Sequence, residues 1–176
     1  MIATARPSAV RTISLSVIAV GAALVFPYLV HLLPAGQGPQ VGATYLPIYW
    51  APLLATALFG LVPGLAAAAL GPILNHWLTG SPPEFLLLSM TLELVVFALL
   101  FALMLRISSR NLVAAPLAYL VGRVSVTAVL WLRDGMPNGA WSALGSSLQT
   151  AWLGIVIIAV AGAAATVAAA RRMTRP

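Results

Sequence analysis

Runs of roughly 18 or more apolar residues recur along the whole chain, the length a helix needs to cross the hydrocarbon of a bilayer. Gly- and Pro-containing breaks separate them: "PAGQGPQVG", "GLVPG", "GSPP" and "DGMPNG". This punctuation predicts six helices, over about 8–33, 45–60, 63–79, 83–107, 112–133 and 139–170, within one transmembrane domain covering 1–176. The second and third are short for a span, which suits tilting or a deep position in the bundle. Composition agrees. Of 176 residues, 61% are hydrophobic and 7% charged, and the mean hydropathy is +1.03, so no ordinary soluble surface can be built. The expected fold is an all-α integral membrane protein.

The charges report orientation. All nine basic residues are arginine. Arg6 and Arg11 precede the first helix, Arg106 and Arg110 lie between the fourth and fifth, and Arg171, Arg172 and Arg175 follow the sixth. An even number of spans puts all seven on one side, and by the positive-inside rule that side is the cytoplasm. The other side has Arg133, next to Asp134. Both termini are therefore expected inside. The first apolar run is too long for a signal peptide and lacks a small-x-small cleavage site, so it reads as a span. The pI near 11.2 does not indicate nucleic acid, because the arginines form no single basic surface. With no cysteine, disulfides, thiolate metal sites and cysteine nucleophiles are excluded. With no lysine there is no G-x-x-x-x-G-K-[ST] loop, so the chain cannot hydrolyse ATP that way. Trp50, Trp77, Trp131 and Trp141 fall near the outer helix ends, as an aromatic belt or, for one or two of them, as pocket lining.

The fourth segment, "LLLSMTLELVVFALLFALML" (86–105), contains a carboxylate, Glu93, although the chain has three acidic residues in all. A charge at bilayer depth costs about 2.5–3.5 kcal/mol on insertion scales, so it needs a partner. "AYLVGRVSV" in the fifth segment supplies Arg123. Each lies about ten residues inward from the outer end of its helix, so at roughly 1.5 Å per residue both sit about 15 Å deep. Antiparallel neighbours then bring opposite charges to one level. Either the pair fixes the register of the two helices, or it lines a cavity whose hydrogen bonding a polar ligand completes.

Further polar groups share the outer half. Asn75 and His76 end the third helix and His31 the first; Tyr45 and Tyr49 begin the second on one face; Gln149 lies three residues before Trp152 in the sixth. Together they suggest a pocket open to the outside, with "PAGQGPQVGATY" as a lid; two histidines can also hold a metal or a tetrapyrrole iron, a reading given less weight. Small residues recur at four-residue spacing. Thr12, Ser16, Ala19 and Ala23 share one face of the first helix, Gly60 and Gly64 span the second turn, and Ala67 and Gly71 lie in the third helix. Such stripes let backbones approach in lipid, through internal packing or through an exposed docking face.

The stretch "YLPIYWAPLLATALFGLVPGLAAAALGPILNHWLTGSPP" (45–83), "LEL" at 92–94 and "GR" at 122–123 resemble the substrate-binding S components of energy-coupling factor (ECF) vitamin transporters. The Ala19-x-x-x-Ala23 step is similar to the feature by which their first helix docks on the transmembrane T subunit. The resemblance implies an S-component-like bundle in a bacterial cytoplasmic membrane that captures a vitamin or related micronutrient from outside. A T subunit and an ATPase pair would then deliver it inward. Taken with the polar groups above, the expected substrate site is drawn from Glu93, Arg123, Asn75, His76, Tyr49, Gln149, Trp152 and His31, with docking through Ala19, Ala23 and Ser16 and no covalent cofactor or metal; Ile48–Tyr49 departs from the Met-His-type pair usual in that family. Two other classes are weighed against it. An intramembrane enzyme needs convergent catalytic groups, yet the chain has no H-E-x-x-H, no G-x-S-x-G and no paired Asp motif, and Ser146 and Ser147 have no evident base. A structural or assembly protein would use the charge pair for register alone and bind no small molecule.

Overall fold

The computed structural model describes residues 8–32, 40–108, 111–134 and 139–173. Eight helices form among them: α1 Ala9–His31, α2 Gln40–Tyr45, α3 Pro47–Phe59, α4 Leu61–Thr79, α5 Glu84–Ile107, α6 Ala114–Asp134, α7 Ala140–Thr150 and α8 Trp152–Met173. Six stretches are long and apolar enough to cross a membrane, one of them, Val41–Phe59, combining α2 and α3. No strand occurs among the described residues. The chain is a multi-pass helical membrane protein.

Helix α3 is the centre of the bundle, packing on α1, α4, α5 and α8. Half of its span is buried, against 17% of α1. Leu53, Phe97, Phe101, Tyr119 and Ile158 fill the main core, drawn from α3, α5, α6 and α8. The outward faces present Val17, Leu88, Leu103, Val129 and Val160, as surfaces bathed in hydrocarbon do.

Three boundaries differ from the sequence expectation, each for a local reason. The second span begins earlier, because "QVGATY" is helical from Gln40 instead of forming a loop. Leu46 then bends the chain with φ 51° before α3 resumes. Helix α4 begins at Leu61, since Gly60 turns the chain at φ 98° and Pro63 is harmless in a first turn. The predicted sixth helix, 139–170, is two helices meeting at Ala151. Its first part is rich in Gly, Ser and Thr, whose hydroxyls bond back to their own carbonyls: Ser146 to Ala143, Ser147 to Leu144 and Thr150 to Ser146. Such bonds weaken helix continuity. The first half of the "PAGQGPQVGATY" lid, residues 34–39, lies outside the described residues.

Small residues act inside the chain. Ala19 and Ala23 are 3% and 1% exposed, packed with Ala51, Ala55 and Ala67 of α3 and α4. Of the residues nominated for docking on α1, Ala19 and Ala23 pack against α3 and α4 within the chain, and half-buried Ser16 donates to the Thr12 carbonyl. A Cβ at Gly64 would stand 3.1 Å from the Thr56 Cα, so α3 and α4 meet almost backbone to backbone.

One polar contact ties α1 to α4. Pro27 has no N–H, so the Ala23 carbonyl one turn earlier loses its helical donor. Asn75 fills the vacancy: its Nδ2 donates to Ala23 O at 2.9 Å and to Gly71 O at 3.1 Å. Replacing Asn75 with Leu is expected to destabilise the bundle by about 1–3 kcal/mol, because a buried carbonyl is orphaned. Adding Pro27→Ala restores the helical N–H and should recover most of that loss. Unfolding of the single and double variants in detergent measures the coupling, and simple additivity of the two effects would refute it.

Candidate functional site

Helix α5 buries Glu93, Leu94, Phe97, Ala98 and Phe101 on one stripe, so the carboxylate points inward with the aromatic core. Helix α6 buries Ala115, Ala118, Tyr119, Gly122 and Val126 in the same way. A Cβ on Gly122 would lie 3.4 Å from Glu93 O and 3.7 Å from Phe97 N. The two backbones therefore run close at this level, and Arg123 reaches across. Its Nη1 donates to Glu93 Oε2 at 2.7 Å. The other oxygen, Oε1, accepts from the Tyr49 hydroxyl of α3. Tyr49 is held edge-on against Phe97 and Tyr119, with ring centroids 5.3 and 5.2 Å away.

The two charges differ in access. The Glu93 side chain is 3% exposed and that of Arg123 33%. Above them opens a cavity of about 490 Å³, within the range of roughly 300–1,000 Å³ usual for small-molecule sites. Tyr49, Glu93, Tyr119 and Arg123 form its polar floor, and Leu46, Ile48, Met90 and Leu94 contribute apolar wall. Exposed His31, Ser81 and Ser146 stand at the rim, with Ser147 and Thr150 beside them on α7. This is the end of the bundle where α1 finishes and α5 begins, opposite Arg11 and Arg106. A smaller hollow of about 290 Å³ lies at that opposite end, between Thr56, Leu105, Arg106 and Thr166.

Of the eight residues that the sequence nominates for binding, four come together here: Glu93, Arg123, Tyr49 and His31. The other four do not border the cavity. Asn75 is committed to the α1 carbonyl. His76 donates Nδ1–H to the Pro82 carbonyl at 2.7 Å, bracing the turn into α5. Gln149 and Trp152 are exposed on either side of the Ala151 break, which takes them off a common stripe. His31 in turn donates Nδ1–H to Pro27 O at 2.6 Å. No tryptophan borders the cavity: Trp77, Trp131, Trp141 and Trp152 are exposed, and half-buried Trp50 packs on Phe26.

Sequence reasoning passed over Tyr119 and Thr150, and weighed Ser146 and Ser147 only as nucleophiles. Tyr119 had a signal: it precedes Arg123 by four residues and so shares its helix face. Compared with protein-family models, with curated proteins and with solved structures, the chain matches none.

Removing one member of the ion pair strands the other. Arg123→Met, which leaves Glu93 buried and uncompensated, is expected to cost about 3–5 kcal/mol. The Glu93→Met/Arg123→Met double variant should be markedly more stable than Arg123→Met alone, as apolar replacement of a buried pair often is. Denaturant unfolding of the four species tests this; a double variant as unstable as the single would mean that the charge itself is not what the bundle must satisfy.

Proposed function

We propose that this chain is the substrate-binding subunit of an importer of the energy-coupling factor type, capturing a vitamin-sized solute and passing it inward with a transmembrane partner and an ATPase pair. The observation that carries this reading is the cavity over the Glu93–Arg123 pair. An intramembrane ionisable group that also borders a cavity is a binding site by default. The resemblance of 45–83, 92–94 and 122–123 to S components supports it, as does the lack of any lysine-bearing nucleotide loop. In this reading both termini are cytoplasmic in a bacterial inner membrane and the cavity faces outward.

One observation favours a second reading. Each Glu93 oxygen already has a donor within the protein, so the pair is also consistent with a structural clasp that needs no ligand.

Two experiments separate these readings. Because the chain has no cysteine, single cysteines report topology directly. Ser81→Cys should react with an impermeant maleimide added to intact cells, and Ser108→Cys only after the membrane is opened; the reverse pattern would put the cavity on the wrong side for capture. The second is thermal unfolding of the purified protein against a panel of water-soluble vitamins, haem and cobalamins. A true substrate at about 100 times its dissociation constant should add roughly 2.7 kcal/mol. A panel without a single stabilising compound supports the structural clasp.

A further inference from the structure

The floor of the cavity is chemically one-sided. Glu93 is the only carboxylate bordering it among the described residues, and that side chain is 3% exposed, behind donors on both oxygens. Its negative charge is used up within the protein. Arg123 is the reverse. Only Nη1 is engaged; Nε and Nη2 have no hydrogen-bond partner among the described residues, and a third of the side chain is open. Tyr119 adds to this. It is 1% exposed, borders the cavity beside Arg123 on the same helix face, and no described residue hydrogen-bonds its hydroxyl.

The rim shows the opposite preference. Ser89, Ser146, Ser147 and Thr150 each give their hydroxyl proton to a carbonyl of their own helix, at 2.8–3.0 Å. Towards the cavity these oxygens offer lone pairs. The deep end therefore donates hydrogen bonds from a cation and a phenol, and the rim accepts them.

We infer that the substrate is an organic acid: a molecule whose carboxylate or similar anionic group takes the free N–H groups of Arg123 and the Tyr119 hydroxyl, and whose other end carries N–H or O–H donors for the α7 hydroxyls. The inference rests on the binding reading proposed above and narrows it. Glu93 is a positioning residue, which turns the outer edge of the guanidinium into the cavity and does not touch the substrate. A cationic substrate is disfavoured, because the charge it meets first is positive. A bidentate guanidinium–carboxylate contact also distinguishes an acid from its amide, since charge-assisted hydrogen bonds are the stronger kind.

The test uses the full chain in detergent and pairs of probes matched in shape but not in charge: biotin with biotinamide, pantothenate with pantothenol, and nicotinate with nicotinamide. Thiamine and choline serve as cations. Affinities are read by calorimetry. At least one acid is expected to bind about tenfold or more tightly than its uncharged counterpart, as the gap between charged and neutral hydrogen bonds implies. Tyr119→Phe should weaken that acid several-fold, and Arg123→Gln should erase the preference. The wild-type comparison stands even where Arg123→Gln does not fold. Equal or better binding of the uncharged partner, or tightest binding of a cation, overturns the acid assignment and leaves a binding pocket in place. Failure of every probe overturns the binding reading and the assignment with it.

Discussion

The structure depends on a carboxylate that has to be housed at membrane depth. Glu93 lies on the inner stripe of α5, where water cannot solvate it, so neighbouring helices must supply its donors. Arg123 on α6 and Tyr49 on α3 do so, and each requirement shapes the bundle around it. Helix α6 comes close at Gly122, where even a Cβ would already touch the α5 backbone. Tyr49 is steered by two aromatic rings set edge-on against it. A buried ion pair is weak evidence of stability, since desolvation offsets most of the attraction. Its more telling property is asymmetry: the acid is sealed and the base is partly open. The guanidinium is therefore oriented before anything enters the cavity, and a ligand need not bear the cost of ordering it.

Intramembrane polar groups serve two ends here, and residue type alone does not tell them apart. Asn75 and Glu93 both interrupt apolar helices, and both are almost fully buried. Asn75 repairs a hydrogen bond that Pro27 removes from another helix. Glu93 orients a cation at a cavity. The difference lies in what the partner does next: the Ala23 carbonyl is closed off, whereas Arg123 still has donors to offer.

This contrast explains what could be read from the chain and what could not. The pairing of Glu93 with Arg123 follows from counting, because helical rise converts position into depth and antiparallel neighbours share a level. The spans follow from runs of apolar residues between Gly and Pro breaks. Asn75 could not be placed that way, since its acceptor lies 52 residues away on a helix face that no local pattern specifies. The same holds for Ala19 and Ala23: spacing marks a face that another backbone can approach, without saying whose backbone it is. The break at Ala151 is local, yet it arises from hydroxyls competing for helix carbonyls, a weaker signal than a proline. That break removed Gln149 and Trp152 from the site and left Ser146, Ser147 and Thr150 in it.

The bend at Leu46 ties the cavity to a residue that does not border it. Leu46 adopts the left-handed conformation, which costs a non-glycine residue roughly 1–2 kcal/mol. Across from it, a Cβ on Gly154 of α8 would fall 2.7 Å from Leu46 Cγ and 2.8 Å from Thr44 O. The backbone joining α2 to α3 thus rests directly on α8, with no space between them. Any side chain at position 154 would have to displace Leu46, which borders the cavity, and so change the shape of the chamber. The width of the chamber is set from behind its wall, so changes on α8 can alter which molecules fit while every group that would touch them stays the same.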